Sequence, residues 1–436
     1  MINIIDMRQG RDNSLFEKLV GRNRLGQADV VRTVEEIITN VSTQGDKALL
    51  EYTKKFDKVE LAKGALKVTK EEIDAAYEKI DPKLLEVIRK SKVNIEAFHM
   101  KQKETSWFTT GEDGIFLGQL YRPLEVVGIY VPGGTAVLTS SVLMNALPAK
   151  VAGVERIMMA TPPRRDGSIE PAVLVAAQEA GITEIYRMGG AQAIAAMAFG
   201  TETVPRADKI FGPGNIYVAT AKRLVFGYCD IDMFAGPSEV TVVADESANP
   251  AYVAADLLSQ AEHDVLSAAI LVTTSPKMAE NVAEEIKKQS AELTRQQILE
   301  KSLSDYSAAV IVNDLDQAMD IVNKIAPEHL ELCIEDPLSR LSSVKNAGAI
   351  FLGHWSPEPL GDYFAGPNHI LPTGGTARFF SPLNVADYIK KSSVISYTRK
   401  ALEKVSSDVE LFAMSEGLDG HANSIKIRFN DNVNKK

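Results

Sequence analysis

The sequence predicts an α/β protein. Two Rossmann-like modules, each an incomplete doubly wound parallel sheet, are expected between a helical amino-terminal region and a small carboxyl-terminal tail domain. Three observations carry this. From about residue 120 onward, apolar strand-like runs alternate with helical runs. Short connections bearing Gly or Pro separate them, the pattern of repeated βα units. After Pro382 the alternation stops.

Taken in order, residues 1–25 are short and mixed and are expected to form an arm. Residues 27–105 read as helical. Val30, Val31, Val34, Ile37 and Ile38 recur at helical spacing, and 71–98 does the same, broken near Asp81-Pro82. A helical front without Gly-rich loops suggests scaffold or dimer surface rather than chemistry. The first βα series has strands at 126–131, 156–161, 184–188 and 207–211. Its turns include Pro132-Gly133-Gly134, Gly189-Gly190 and Gly212-Pro213-Gly214-Asn215, and its clearest helix spans 171–180. The second series has strands at 240–244, 268–273, 308–312, 330–334 and 349–352. Asn249-Pro250 opens one of its helices, with Asn as cap and Pro as first helical residue, and 315–325 forms another. Two consecutive modules suggest two sheets facing a cleft, with ligands at the carboxyl ends of the strands. In the tail a helix is expected at 384–391, a strand at 393–397 and a helix at 401–414. So small a tail is expected to pack on another body, its own or a partner subunit's.

The chain has 436 residues, 45% hydrophobic and 24% charged, enough for two or more cores. The charge balance is 48 − 58 = −10, with the acidic residues spread out. That argues against nucleic acid or an anionic membrane as main partner and leaves a small soluble substrate. No run approaches the ~18 apolar residues of a membrane span. The amino terminus lacks a basic stretch followed by an apolar core, so no signal peptide is expected and the cytoplasm is the expected location. Two cysteines, Cys229 and Cys333, exclude a disulfide framework or a four-thiolate zinc site within one chain. Cys333 lies in an apolar run and is expected to be buried and inert.

The chemistry concentrates in the second half. Residues 256–264 read as the last turns of a helix, and Gln260 and His263, three apart, share one face. An imidazole and an amide oxygen are half of a metal site or substrate clamp. Five of the six histidines, His263, His329, His354, His369 and His421, fall between 263 and 421. Glu328 and His329 follow a helix end, and Asp362 and His369 lie in 359–369, a loop rich in turn formers. Singly, each has a bland reading. A loop histidine can be a surface or capping residue, Asp362 an Asx-turn, Glu328 a solvated charge, and Gln260 a surface amide. Together, two imidazoles, one carboxylate and one amide oxygen suit zinc or a similar divalent ion. An adjacent Glu-His pair can then act as acid and base outside the ligand set. No compact H-E-x-x-H is present. The Gly turns deliver helix amino termini suited to a phosphate or carboxylate. They match neither G-x-G-x-x-G nor a P-loop, and a purely conformational role stays open.

Phe234-Ala235-Gly236-Pro237-Ser238-Glu239, Gln260-Ala261-Glu262-His263-Asp264, Pro327-Glu328-His329, Gly361-Asp362-Tyr363 and Gly366-Pro367-Asn368-His369 resemble the signature segments of the histidinol dehydrogenase family. So do the three Gly turns, the second extended through Gln192, and the order holds from about 25 to 425. The resemblance implies a zinc-dependent, NAD-linked oxidation of L-histidinol to L-histidine through L-histidinaldehyde, with one zinc per subunit of a homodimer with shared active sites. It implies Gln260, His263, Asp362 and His421 as zinc ligands, the last from the other subunit. It implies Glu328 and His329 as the catalytic pair, and NAD contacts at Tyr130, Gln192 and Asn215. Substrate contacts fall on Ser238, Glu416, His329 and the ligand cluster, with His369 a further candidate. The expected domains are a 1–25 arm, a zinc and substrate domain of 26–129 plus 238–381, an NAD domain of 130–237, and a dimerising tail of 382–436. The rivals are a zinc hydrolase, a related dehydrogenase of another amino or sulfonated alcohol, and a non-catalytic binding protein.

Overall fold

Val126–Tyr130 and Ala268–Thr273 are apolar with almost no alternation, the pattern of strands covered on both faces. Both lie inside parallel sheets. The computed structural model describes residues 2–8, 10, 17, 19, 28–62, 64–133, 138–182, 184–233 and 236–430. Gly134, Phe234, Ala235 and most of 1–25 lie outside the described residues.

In chain order the strands are β1 (Asn3–Asp6), β2 (Trp107–Thr110), β3 (Phe116–Pro123), β4 (Val126–Tyr130), β5 (Arg156–Thr161), β6 (Glu184–Arg187), β7 (Lys209–Phe211), β8 (Asp230–Ile231), β9 (Glu239–Ala244), β10 (Ala268–Thr273), β11 (Ala308–Ile311), β12 (His329–Cys333), β13 (Ala349–Leu352) and β14 (Ile389–Ser396). Two compact units divide the chain.

The larger unit, Met1–Gln102 with Leu124–Tyr388, holds both parallel sheets. The five-stranded sheet has the order β6-β5-β4-β7-β8, and the six-stranded sheet β1-β11-β10-β9-β12-β13. Leaving aside the edge strand β1, each starts centrally, at β4 or β9, builds outward, then returns to the other side, which makes each doubly wound. The switch points fall between β4 and β7 and between β9 and β12. The first residues of the expected arm form β1, in parallel register with β11 from Asn3 opposite Ala308.

Val34, Ile37, Val41 and Leu49 of the front helices Ala28–Gln44 and Asp46–Tyr52 share a core with Ile194 and Met197 of Gly190–Phe199. The helical front therefore packs on the five-stranded module. Asn249 caps Pro250–Ala261 by accepting from the Ala251 N–H. Among the described residues no helix is long and apolar enough to cross a membrane.

The smaller unit, Lys103–Pro123 with Ile389–Lys436, was only partly anticipated. β14, β3 and β2 form an antiparallel sheet, with Ile389 opposite Pro123 and Ser396 opposite Phe116. Helices Arg399–Ser415 and Asp419–Lys426 follow. The helix expected at 384–391 is instead one tight turn, Val385–Tyr388, running into β14. The Asn384 side chain accepts from the Ala386 N–H and its backbone N–H donates to Asp387, which closes that turn. The 359–369 loop also holds more order than expected, because Glu358–Tyr363 is a short helix entered through Pro357.

Candidate active site

Ligands were expected at the carboxyl ends of the strands, and the cavity that holds the candidate residues meets such ends on one sheet only. A cavity of about 240 Å³ lies between the two sheets. On one side it is lined by Gly212 and Pro213, after β7, and Asp232 and Met233, after β8. These are carboxyl ends. On the other side it is lined by Ser238, just before β9, and by Glu328 and His329, where β12 begins. These are amino ends. Gln260 and His263 also reach it, because Pro250–Ala261 returns the chain toward the start of β10. The helix stops at Ala261, so His263 lies two residues beyond it, past the helical face it was expected to share with Gln260.

Ala326 makes the entry to β12 abrupt. It ends Leu315–Ile325 in the left-handed region at φ 54°, which costs a residue with a Cβ about 1 kcal/mol or more. Parallel pairing sets His329 opposite Val240, so Glu328 and His329 both meet the backbone of Glu239. The Glu239 N–H donates to Glu328 Oε2 at 2.9 Å. His329 Nδ1 lies 3.2 Å from the Glu239 carbonyl oxygen. A carbonyl can only accept, so this contact puts the proton on Nδ1 and leaves Nε2 as the basic nitrogen. Nε2 is buried and has no hydrogen-bond partner.

Burial lowers the His329 pKa to about 3, keeping the ring neutral. Burial likewise drives Glu328 well above the ordinary carboxyl range, opposed by the Glu239 N–H, which favours its charged form. Once ionised, Glu328 is a strong base.

Facing His329 Nε2 stand Glu358 Oε1 at 3.9 Å and Asp362 Oδ1 at 4.0 Å. They are four apart on Glu358–Tyr363 and so share its face. Burial pushes Glu358 up to about 8, with the Asp362 charge second, and pushes Asp362 up to about 6. The Glu358 N–H is held by Glu331 Oε1 at 2.8 Å. His369 Nδ1 donates to the Asp362 carbonyl oxygen at 3.0 Å, and its Nε2 meets Ser141 Oγ at 3.2 Å.

The donor set fits a divalent ion. One ligand atom each from His329, Glu358 and Asp362 lies within 4.8 Å of the other two, a spacing at which the two carboxylates can hold an ion beside the His329 base. Gln260 is 1% exposed, yet neither its Oε1 nor its Nε2 has a partner. An orphaned buried amide is costly unless something else satisfies it. His263 Nδ1 is committed to the Ser259 carbonyl oxygen at 2.9 Å, which leaves Nε2 as a ligand atom. The structure thus brings together Ser238, Gln260, His263, Glu328, His329, Asp362 and His369. Glu416 and His421 belong to the smaller unit, exposed along a recess between its two helices. His354 stands beside Ser247, after the carboxyl end of β9, where its Nε2 meets the hydroxyl at 3.3 Å. Cys333 is buried as expected; Cys229 is buried too, and burial pushes its thiol up to about 12.

The three expected NAD residues cluster on the turns of the five-stranded sheet. Tyr130, ending β4, accepts the Gly190 N–H on its hydroxyl at 3.0 Å. Gln192 is buried, and its Nε2 has no partner. These donors suit a polar cofactor. Asn215 is already occupied in part, because its oxygen caps Ile216–Val225 by accepting from Tyr217 and Val218. Gly212, at φ +109°, could carry no side chain, since a Cβ there would lie 2.0 Å from the Tyr130 carbonyl oxygen. The buried Lys222 and Asp232 pair clamps this turn: Lys222 donates to the Gly212 carbonyl, and Asp232 accepts its N–H.

Known proteins carry the same frame. The sequence profile of the histidinol dehydrogenase family matches residues 20–429. The chain belongs to the histidinol dehydrogenase family. It is 55% identical to the histidinol dehydrogenase of Clostridium acetobutylicum, over 95% of this chain and 96% of the relative. It is 56% identical to that of Caldanaerobacter subterraneus subsp. tengcongensis, over 98% and 99%. The crystal structure of histidinol dehydrogenase from Elizabethkingia anophelis superposes with a TM-score of 0.92 at 39% identity, covering 98% of each chain. The protein is therefore an oxidoreductase.

Glu358 escaped the sequence reading, because the prolines around it made its segment look like loop. Its spacing of four before Asp362 was the available signal. Glu239, Lys222 and Asp232 act through backbone contacts that no spacing shows.

Proposed function

We propose that this chain carries out a zinc-dependent, NAD-linked, four-electron oxidation of L-histidinol to L-histidine through L-histidinaldehyde, in the cytoplasm, as a homodimer with shared active sites. The observation that supports it most is His329: neutral, buried, its Nδ1 committed and its Nε2 unpartnered above a cavity that also holds the orphaned Gln260. In this reading Gln260, His263 and Asp362 would hold zinc, with His421 from a second copy. Zinc bound there supplies positive charge that fixes the amine and imidazole of the substrate, and NAD, when bound, accepts the hydride.

His329 Nε2 takes the hydroxyl proton as the hydride leaves. Glu328, ionised, takes a proton from water to hydrate the aldehyde. His329 then takes the hydrate proton in the second oxidation. Ser238 and His369 orient the substrate, and Glu416 reaches it with His421 from the other subunit. Exposed Ile395, Leu411, Phe412 and Met414 on the smaller unit support burial against another copy. Residues 130–237 would carry NAD through Tyr130, Gln192 and Asn215.

The test is NADH absorbance on mixing zinc-loaded protein, histidinol and NAD. Steady NADH formation that a chelator abolishes is expected. Absence of NADH with zinc present would remove the reading.

A further inference from the structure

Beside the five-stranded sheet stands a half-buried acid that the proposed chemistry leaves unused. Asp57 ends the short irregular helix Thr53–Asp57. Its Oδ2 is buried and has no hydrogen-bond partner. Its pKa is raised to about 6 by burial, with no cation offsetting it. A structural carboxylate is ordinarily paired or hydrogen-bonded, so Asp57 is prepared for something else.

Its position says for what. Asp57 Oδ1 lies 3.2 Å from where a Gly189 Cβ would stand, just past the carboxyl end of β6. The next residue, Gly190, has φ +64°, and a Cβ there would lie 2.8 Å from Gln192 Oε1. The same two-glycine turn therefore has a carboxylate at one residue and the Gln192 amide at the other. Each carries a buried atom without a partner, Asp57 Oδ2 and Gln192 Nε2. One only accepts and the other only donates. A ligand serving both must donate and accept through neighbouring atoms. A vicinal diol does this. A phosphate cannot, since it offers acceptors alone and adds like charge beside Asp57.

We propose that Asp57 and Gln192 together bind the vicinal diol of a dinucleotide ribose. This rests on the NAD reading above. If the diol is that of the adenosine ribose, a 2′-phosphate would press like charge against Asp57, which selects NAD over NADP. The adenosine and nicotinamide riboses offer the same diol, so the test separates them.

Full-length, zinc-loaded wild type and Asp57→Asn are titrated with NADH, with NADH lacking the adenosine 2′-hydroxyl, and with NADH lacking the nicotinamide-ribose 2′-hydroxyl. Binding is read by fluorescence, with zinc content, histidinol affinity and melting temperature as controls. Asp57→Asn is expected to weaken NADH about tenfold or more, with the three controls unchanged. One deoxy analogue should bind wild type and variant alike, and that analogue identifies the ribose. Equal weakening of NADH and both analogues, or no weakening of NADH, would overturn the proposal. Failure of wild type to bind NADH at all would overturn the NAD reading along with it.

Discussion

The five-stranded sheet meets the cavity with its carboxyl edge, and the six-stranded sheet meets it with its amino edge. The carboxyl edge offers strand-to-helix turns. Their glycines are forced by close backbone approach, as at Gly212, and their side chains largely serve the turns, as Asn215 and the Lys222–Asp232 pair do. The amino edge offers side chains on residues that begin strands. A neighbouring strand pins each by its backbone, as Glu239 does for Glu328 and His329, while the reactive atoms stay free. One edge is thus shaped to seat a cofactor by backbone and turn. The other is shaped to hold proton-transferring groups still.

The comparison can be broken at each edge. The largest effect is expected at the amino edge. His329→Asn should lower kcat by about 10²–10⁴-fold, while metal content, measured by elemental analysis, stays at the wild-type level. A variant that loses metal in step with activity would make His329 a structural residue instead. Next comes the clamp of the carboxyl edge. Lys222→Met leaves Asp232 buried and unpaired and should cost about 3–5 kcal/mol in urea denaturation. Gln260→Ala removes the orphaned amide and should weaken metal binding by about tenfold or more, read by competition with a chelator. The smallest effect separates cap from contact at Asn215. Asn215→Ala should cost about 1 kcal/mol of stability, and Asn215→Ser only a few tenths. If Ser keeps the stability but weakens NADH binding, Asn215 serves both roles.

Local patterns made much of this readable. The βα alternation, the Asn249 cap and the Glu328-His329 pair are all statements about neighbours in sequence, and apolar runs record burial directly. The short tail was harder. Ile389–Ser396 owes its strand to pairing with Phe116–Pro123, more than 250 residues earlier in the chain, and nothing in 384–391 records that partner. Which edge of each sheet faces the cavity was also hidden, because it depends on where the chain crosses between modules. That Gln260 and His263 reach one site was legible, but the lack of a partner for the Gln260 amide was not, since a missing partner is a property of the packed interior. Asp57 was passed over for the same reason.

The central claim is that one cavity performs both oxidations. Zinc-loaded protein given limiting histidinol and excess NAD should form two NADH per histidinol, with histidine as product, because alcohol to carboxylate removes two hydrides. One NADH per histidinol with free aldehyde accumulating, or no NADH, would contradict it.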